Sequence, residues 1–123
     1  MFYIENYWKV IVFWNIDYNF FDDVVFEMRR AGMRYDLING VSDIMQSRKA
    51  KAVTCNSIKH CISIVIFNSH STKADYINSI VHEVEHIKQA LFKAYKAEDT
   101  GEPPAYAVGY IVMRMYEAFK RFL

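Results

Sequence analysis

The residues of this chain best equipped for chemistry stand in Ile80-Val81-His82-Glu83-Val84-Glu85-His86-Ile87. The string reads H-E-x-x-H inside a run with helical periodicity. Two histidines four apart on a helix project from one face and can hold a single zinc ion through neutral imidazoles. Glu83 lies about 100° around the helix from His82. From there a carboxylate reaches a metal-activated water without being a ligand, which is the position a general base requires.

The helix that must present these groups is expected from about Lys73 to Lys96, with Thr72 as its cap and Asp75 answering three residues later. Ile77, Ile80, Val84, Ile87, Leu91 and Ala94 form an apolar stripe along it. With His82 at the origin of a helical wheel, that stripe centres at about 180°, opposite the imidazoles. Glu98-Asp99-Thr100-Gly101 ends the helix. Glu102-Pro103-Pro104 starts another that runs to the end of the chain. Its core stripe is expected at Ala105, Val108, Val112, Met115, Phe119 and Phe122. A second stripe carries Glu102, Tyr106, Gly109, Tyr110 and Met113. Ala105 and Gly109 are small and four apart, a spacing that suits close approach of the two helices.

Upstream, Tyr7 to Trp14 reads as a buried strand. Asn19-Phe20-Phe21-Asp22 has the form of a helix cap, and Phe21, Val24, Val25, Met28 and Ala31 line one face of a helix that stops at Gly32. This helix should back the sheet. Residues 33–47 suit a short helix interrupted by the Asn39-Gly40 turn signal. Lys51 to Asn56 and Cys61 to Asn68 are two short strands joined by a hairpin loop at Ser57 to His60.

A catalytic zinc takes three protein ligands and leaves one position for water. His82 and His86 supply two. A third histidine downstream is excluded, because Gln89 and Phe92 occupy the positions it would need. Asp99, in a polar turn, and Glu102, at the head of the last helix, are the candidates, with Glu102 the better placed. His82-Glu83-Val84-Glu85-His86 followed by Gly101-Glu102-Pro103-Pro104-Ala105-Tyr106 resembles the gluzincin pattern of zinc metallopeptidases, and the chain is similar to the small H-E-x-x-H proteins of phages and mobile elements. The resemblance covers roughly residues 51 to 123. It implies Zn2+ held by His82, His86 and Glu102, with Glu83 as the base that activates water for attack on a peptide carbonyl. It also implies an edge strand before the active helix, here Cys61 to Phe67, that pairs with an extended peptide or protein substrate. Helical spacing, independently of the resemblance, puts Tyr106 or Tyr110 on the Glu102 side of the last helix, where a phenol can donate to an oxyanion.

With 123 residues, 53% of them apolar and 16% aromatic, the chain fits one globular domain spanning residues 1–123. A net charge of +1 argues against a nucleic-acid binder, and the basic run Arg48-Lys49-Ala50-Lys51 reads as a solvated loop. Glu5, Asn6 and Lys9 interrupt the apolar N-terminal stretch, so it reads as neither signal peptide nor membrane span; the expected location is the cytoplasm. Cys55 and Cys61 read as free thiols rather than a disulfide framework. His60 and His70 read as loop residues.

These readings converge on an α+β fold of the minimal zincin type: a mixed sheet of about three strands, a backing helix, an H-E-x-x-H helix under the sheet edge and a C-terminal glutamate helix. The expected function is zinc-dependent peptide hydrolysis. The alternatives are a catalytically weak or inactive zincin-fold protein that binds a protein partner, and a metal-free helical interaction module.

Overall fold

The computed structural model describes residues 1–16 and 21–122. The expected cap at Asn19 lies outside them. Among the described residues the chain forms β1 (Phe2–Ile4), β2 (Trp8–Phe13), α1 (Phe21–Arg30), α2 (Tyr35–Gln46), β3 (Ala52–Ser57), β4 (Ile62–Phe67), α3 (Lys73–Ala94) and α4 (Glu102–Phe122). The fold is α+β, with a mixed sheet in the order β1-β2-β4-β3. β2 and β4 pair in parallel, and β1 and β3 flank them antiparallel.

The sheet therefore has four strands, one more than expected. The extra strand, β1, returns into β2 through a turn in which Glu5 and Asn6 adopt φ of 56° and 66° and Tyr7 N–H reaches the Ile4 carbonyl at 3.3 Å. Two successive positive φ values match the right-handed twist of a hairpin.

Each face of the sheet buries its own core. On one side Cys55, Ile64 and Ile66 pack with Val24 and Met28 of α1 and with Ile38, Val41 and Met45 of α2. On the other, Trp8, Val10, Val65 and Phe67 pack with Ile80, Val84 and Ile87 of α3 and with Ile111, Met115 and Phe119 of α4. Burial of each large apolar side chain contributes roughly 1.5–3 kcal/mol before chain entropy is counted. α1 ends where the sequence predicts: Gly32 takes φ 74°, and Met33 N–H bonds back to the Met28 carbonyl at 3.0 Å. α2 runs unbroken through Asn39-Gly40, because Ile38, Val41 and Met45 bury a helical stripe that outweighs the local turn signal.

α3 matches its expected start, with Thr72 Oγ1 accepting from the Asp75 amide at 3.1 Å. Its buried face is Tyr76, Ile80, Glu83, Val84, Ile87 and Leu91, whereas Ile77 is 37% exposed. The core stripe of α4 is also rotated from the expected one. Pro104, Ile111, Met115 and Phe119 are its buried residues, and Ala105 is exposed. Gly109 has open space around it, so the small pair does not mediate close helix packing. Cys55 and Cys61 are free and pack into opposite cores. No helix among the described residues is long and apolar enough to cross a membrane.

Candidate metal and cleft site

Backbone register decides which strand is available at the sheet edge. β4, expected there, lies inside the sheet between β2 and β3. Sequence order does not reveal that β2 and β4, separated by two helices and a strand, are neighbours. The edge above α3 is β3. Asn68 N–H bonds to the Lys51 carbonyl at 2.9 Å, so Lys51 and Asn68 form a hydrogen-bonded antiparallel pair. By alternation Val53, Cys55 and Ser57 turn their backbones to β4, and Ala52, Thr54 and Asn56 turn theirs to the open edge.

The side chains of those edge-facing residues hold β3 to α3. Thr54 Oγ1 donates to Glu83 Oε1 at 2.8 Å. Asn56 Nδ2 donates to the His86 carbonyl at 3.4 Å, and Asn56 Oδ1 accepts from Ser63 Oγ at 2.5 Å. Ser63 Oγ in turn accepts from the buried Trp8 indole at 2.9 Å. This polar chain runs from the core to the turn of α3 that carries His86. The sequence carried a signal for it: Thr54, Asn56 and Ser63 are polar at positions of β3 and β4 that share the α3 side of the sheet.

His82 and His86 stand side by side on the outer surface of α3, with ring centroids 5.1 Å apart and planes at 74°. The His82 side chain is 69% exposed. Glu83 is the opposite case. Its side chain is buried, one oxygen on Thr54 and the other 4.0 Å from His82 Nε2. A cleft of about 260 Å³ opens beside them, lined by Lys51, Ala52, Asn78, Ser79, His82 and Glu83. The donor set suits a borderline metal such as zinc: two imidazoles at i and i+4 with a carboxylate beside them.

Glu102 is not brought to the histidines. Tyr76 and Phe119 pack with ring centroids 4.9 Å apart, and α4 runs antiparallel to α3 from that rung. Counting equal steps from it, the level of His86 on α4 falls near Gly109, and Glu102 lies about 10 Å beyond. α4 also packs on the Ile80–Val84 side of α3, about 160° around the helix from His82. The stripe of Glu102, Tyr106, Gly109, Tyr110 and Met113 is exposed along its length. Spacing identified that stripe as distinct from the core, but it faces solvent instead of the histidines. Among the described residues no group of three His, Cys, Asp or Glu side chains is gathered as one ligand set.

The other residues weighed for the site are committed elsewhere. Asp99 accepts from Lys88 Nζ at 2.6 Å, and Glu85 does the same at 2.6 Å. Lys88 is 7% exposed, and these bonds, Asp99 first, hold its pKa above the ordinary lysine value. His70 uses both ring nitrogens, one on the Asn68 carbonyl and one on Ser79 Oγ, each at 2.7 Å. Cys55 is pushed up to about 11 by burial and then by the charge of Glu83, so at neutral pH it is a thiol and not a thiolate ligand. Tyr106 is 75% exposed and lines a larger apolar hollow of about 540 Å³ with Ile4, Tyr7, Leu91 and Tyr95. Tyr95 lies about 13 Å along α3 from His86. Glu5 is the one carboxylate lining that hollow and no histidine or cysteine accompanies it, whereas the smaller cleft sets His82 beside Glu83.

Comparison of the chain with protein-family models, with curated proteins and with solved structures finds no match.

Proposed function

We propose that the protein is a zinc-dependent peptidase of zincin-like architecture, with the metal on His82 and His86 and Glu83 as general base. The observation that carries this reading is the placement of Glu83. Its carboxylate is buried at the wall of a cleft, fixed by Thr54, beside two exposed histidines and beneath β3, the edge strand of the sheet among the described residues. Zinc, when bound, supplies Lewis-acid polarisation of water and of the scissile carbonyl. The chain's own residues do the rest. The outward backbones of Ala52, Thr54 and Asn56 receive an extended peptide as an added strand. The Thr54 hydroxyl occupies Glu83 Oε1 and leaves Oε2, on the His82 side, to take a proton. Burial around Glu83 excludes bulk water from that transfer.

The third ligand expected at Glu102, and the oxyanion donor expected at Tyr106 or Tyr110, have no support from the arrangement of α4. A protein ligand set of two favours a second reading: a zincin-like protein whose metal is structural or latent, and whose β3 edge captures a partner segment. Glu83→Gln separates the two. The peptidase reading expects the variant to keep its zinc and lose cleavage of an unfolded protein. Cleavage at the wild-type rate by Glu83→Gln would refute the mechanism. Bound zinc with no turnover by the wild type on any peptide library would move the assignment to the capture protein.

A further inference from the structure

We propose that zinc joins two copies of this chain through His82 and His86 of each, and that this dimer is a closed, latent form of the site. The inference rests on the reading that the two histidines hold zinc, and concerns what completes the coordination.

Zinc in a closed protein site takes four ligands in a tetrahedron. The described residues gather two, and both lie on an exposed surface: His82 is 69% exposed at its side chain, and His86 is exposed one turn later. A pair of donors that projects into solvent is open to a second pair. A two-fold axis through the metal supplies it, because an isologous contact repeats the same patch on both sides. Four imidazoles then fill the four positions.

The surface beside the histidines suits a second copy. Asn78, one turn before His82, and Gln89, one turn after His86, lie on the same face of α3; both are exposed and uncharged. Glu85, one turn beyond Val81, has its charge taken up by Lys88 Nζ at 2.6 Å, so it brings little repulsion to its own image across the axis. Helix α3 of one copy can therefore lie antiparallel to α3 of the other, with Asn78 and Gln89 flanking the metal. In that state no position remains for water, so separation of the two copies, with zinc kept on one His82–His86 pair, is what opens the site.

The test titrates zinc chloride into the metal-free full chain and reads two quantities together: sedimentation mass and zinc per chain by elemental mass spectrometry. His82→Ala and His86→Ala are run alongside; both positions are exposed, and circular dichroism checks that each variant is folded. The expected result is one zinc per two chains, a doubled mass that returns to the single-chain value with EDTA, and no doubling in either variant. One zinc per chain at the single-chain mass overturns the dimer and leaves the peptidase reading standing. A dimer that survives EDTA or His82→Ala overturns it as well. Absence of zinc binding overturns both this proposal and the reading beneath it.

Discussion

Thr54 Oγ1 donates to Glu83 Oε1 across 2.8 Å, and this bond joins the open edge of the sheet to the helix that carries both histidines. One residue thus presents its backbone to the edge and its side chain to the candidate base. A peptide that pairs with β3 would be placed relative to Glu83 by the same residue that orients Glu83. The coupling is short-range, one side chain and one hydrogen bond, and does not depend on a loop closing.

Thr54→Val tests that coupling. Valine keeps the shape and removes the donor, leaving a carboxylate oxygen buried without its partner. A loss of about 1–3 kcal/mol in unfolding free energy is expected, because the buried acceptor keeps its desolvation cost. Urea denaturation should show an earlier midpoint with an unchanged slope, and Thr54→Ser should restore most of the loss. Equal stability of Thr54→Val and wild type would mean that the bond does not hold Glu83.

Hydrogen exchange reads the edge assignment. The amides of Val53, Cys55 and Ser57 face β4 and should exchange slowly, whereas those of Ala52, Thr54 and Asn56 face outward and should exchange fast. A bound extended peptide should slow the second set and leave the first unchanged. Protection of Ala52, Thr54 and Asn56 in the free protein would place another segment on this edge.

The legible parts of the sequence were those whose signal is local and periodic. The span of α3, the cap at Thr72, the stop at Gly32 and the spacing of His82 and His86 follow from residues within one or two turns of each other. β1 was missed because Phe2–Ile4 is three residues long and its turn uses Glu5-Asn6, without the glycine that usually marks two positive φ values. β4 was expected at the edge because strand order depends on a parallel pairing with β2, about fifty residues away in the chain. Glu102 illustrates a different limit. Its spacing showed that it stands apart from the core stripe of α4. Which side of α3 receives α4 is decided by Ile111, Met115 and Phe119 against Ile80, Val84 and Ile87, and that choice turns Glu102 away.

Zinc retention reports on that geometry directly. His86→Ala should abolish zinc binding, and Glu102→Ala should leave it within about twofold of wild type, because an exposed side chain about 10 Å from the level of the histidines makes no contact with their metal. Neither change should alter unfolding free energy by more than about 0.5 kcal/mol in the metal-free protein. Loss of zinc from Glu102→Ala, measured by elemental analysis after dialysis, would require α4 to approach the histidines from the other side of α3.

Alkaline pH reports on the packing behind Glu83. Cys55 is raised to about 11 by burial and by the Glu83 charge, against an ordinary value of 9.0. Below pH 9 the thiol is protonated in both folded and unfolded chains and its contribution is complete. Between pH 9 and 11 the unfolded chain releases the proton and the folded one keeps it, so stability falls as pH rises, by roughly 2–3 kcal/mol for this group. Lys88 has the same sign. Its folded pKa is raised, so its bonds to Asp99 and Glu85 are also lost as pH climbs through that value. Cys55→Ala separates the two. The variant begins less stable at pH 8, because a buried sulfur is replaced by a small void, and then loses less between pH 9 and 11. Urea denaturation at pH 8, 9, 10 and 11 should show the two stability curves converging. Parallel curves would mean that the Cys55 thiol ionises in the folded protein as readily as in the unfolded one, and that Glu83 does not bear on it.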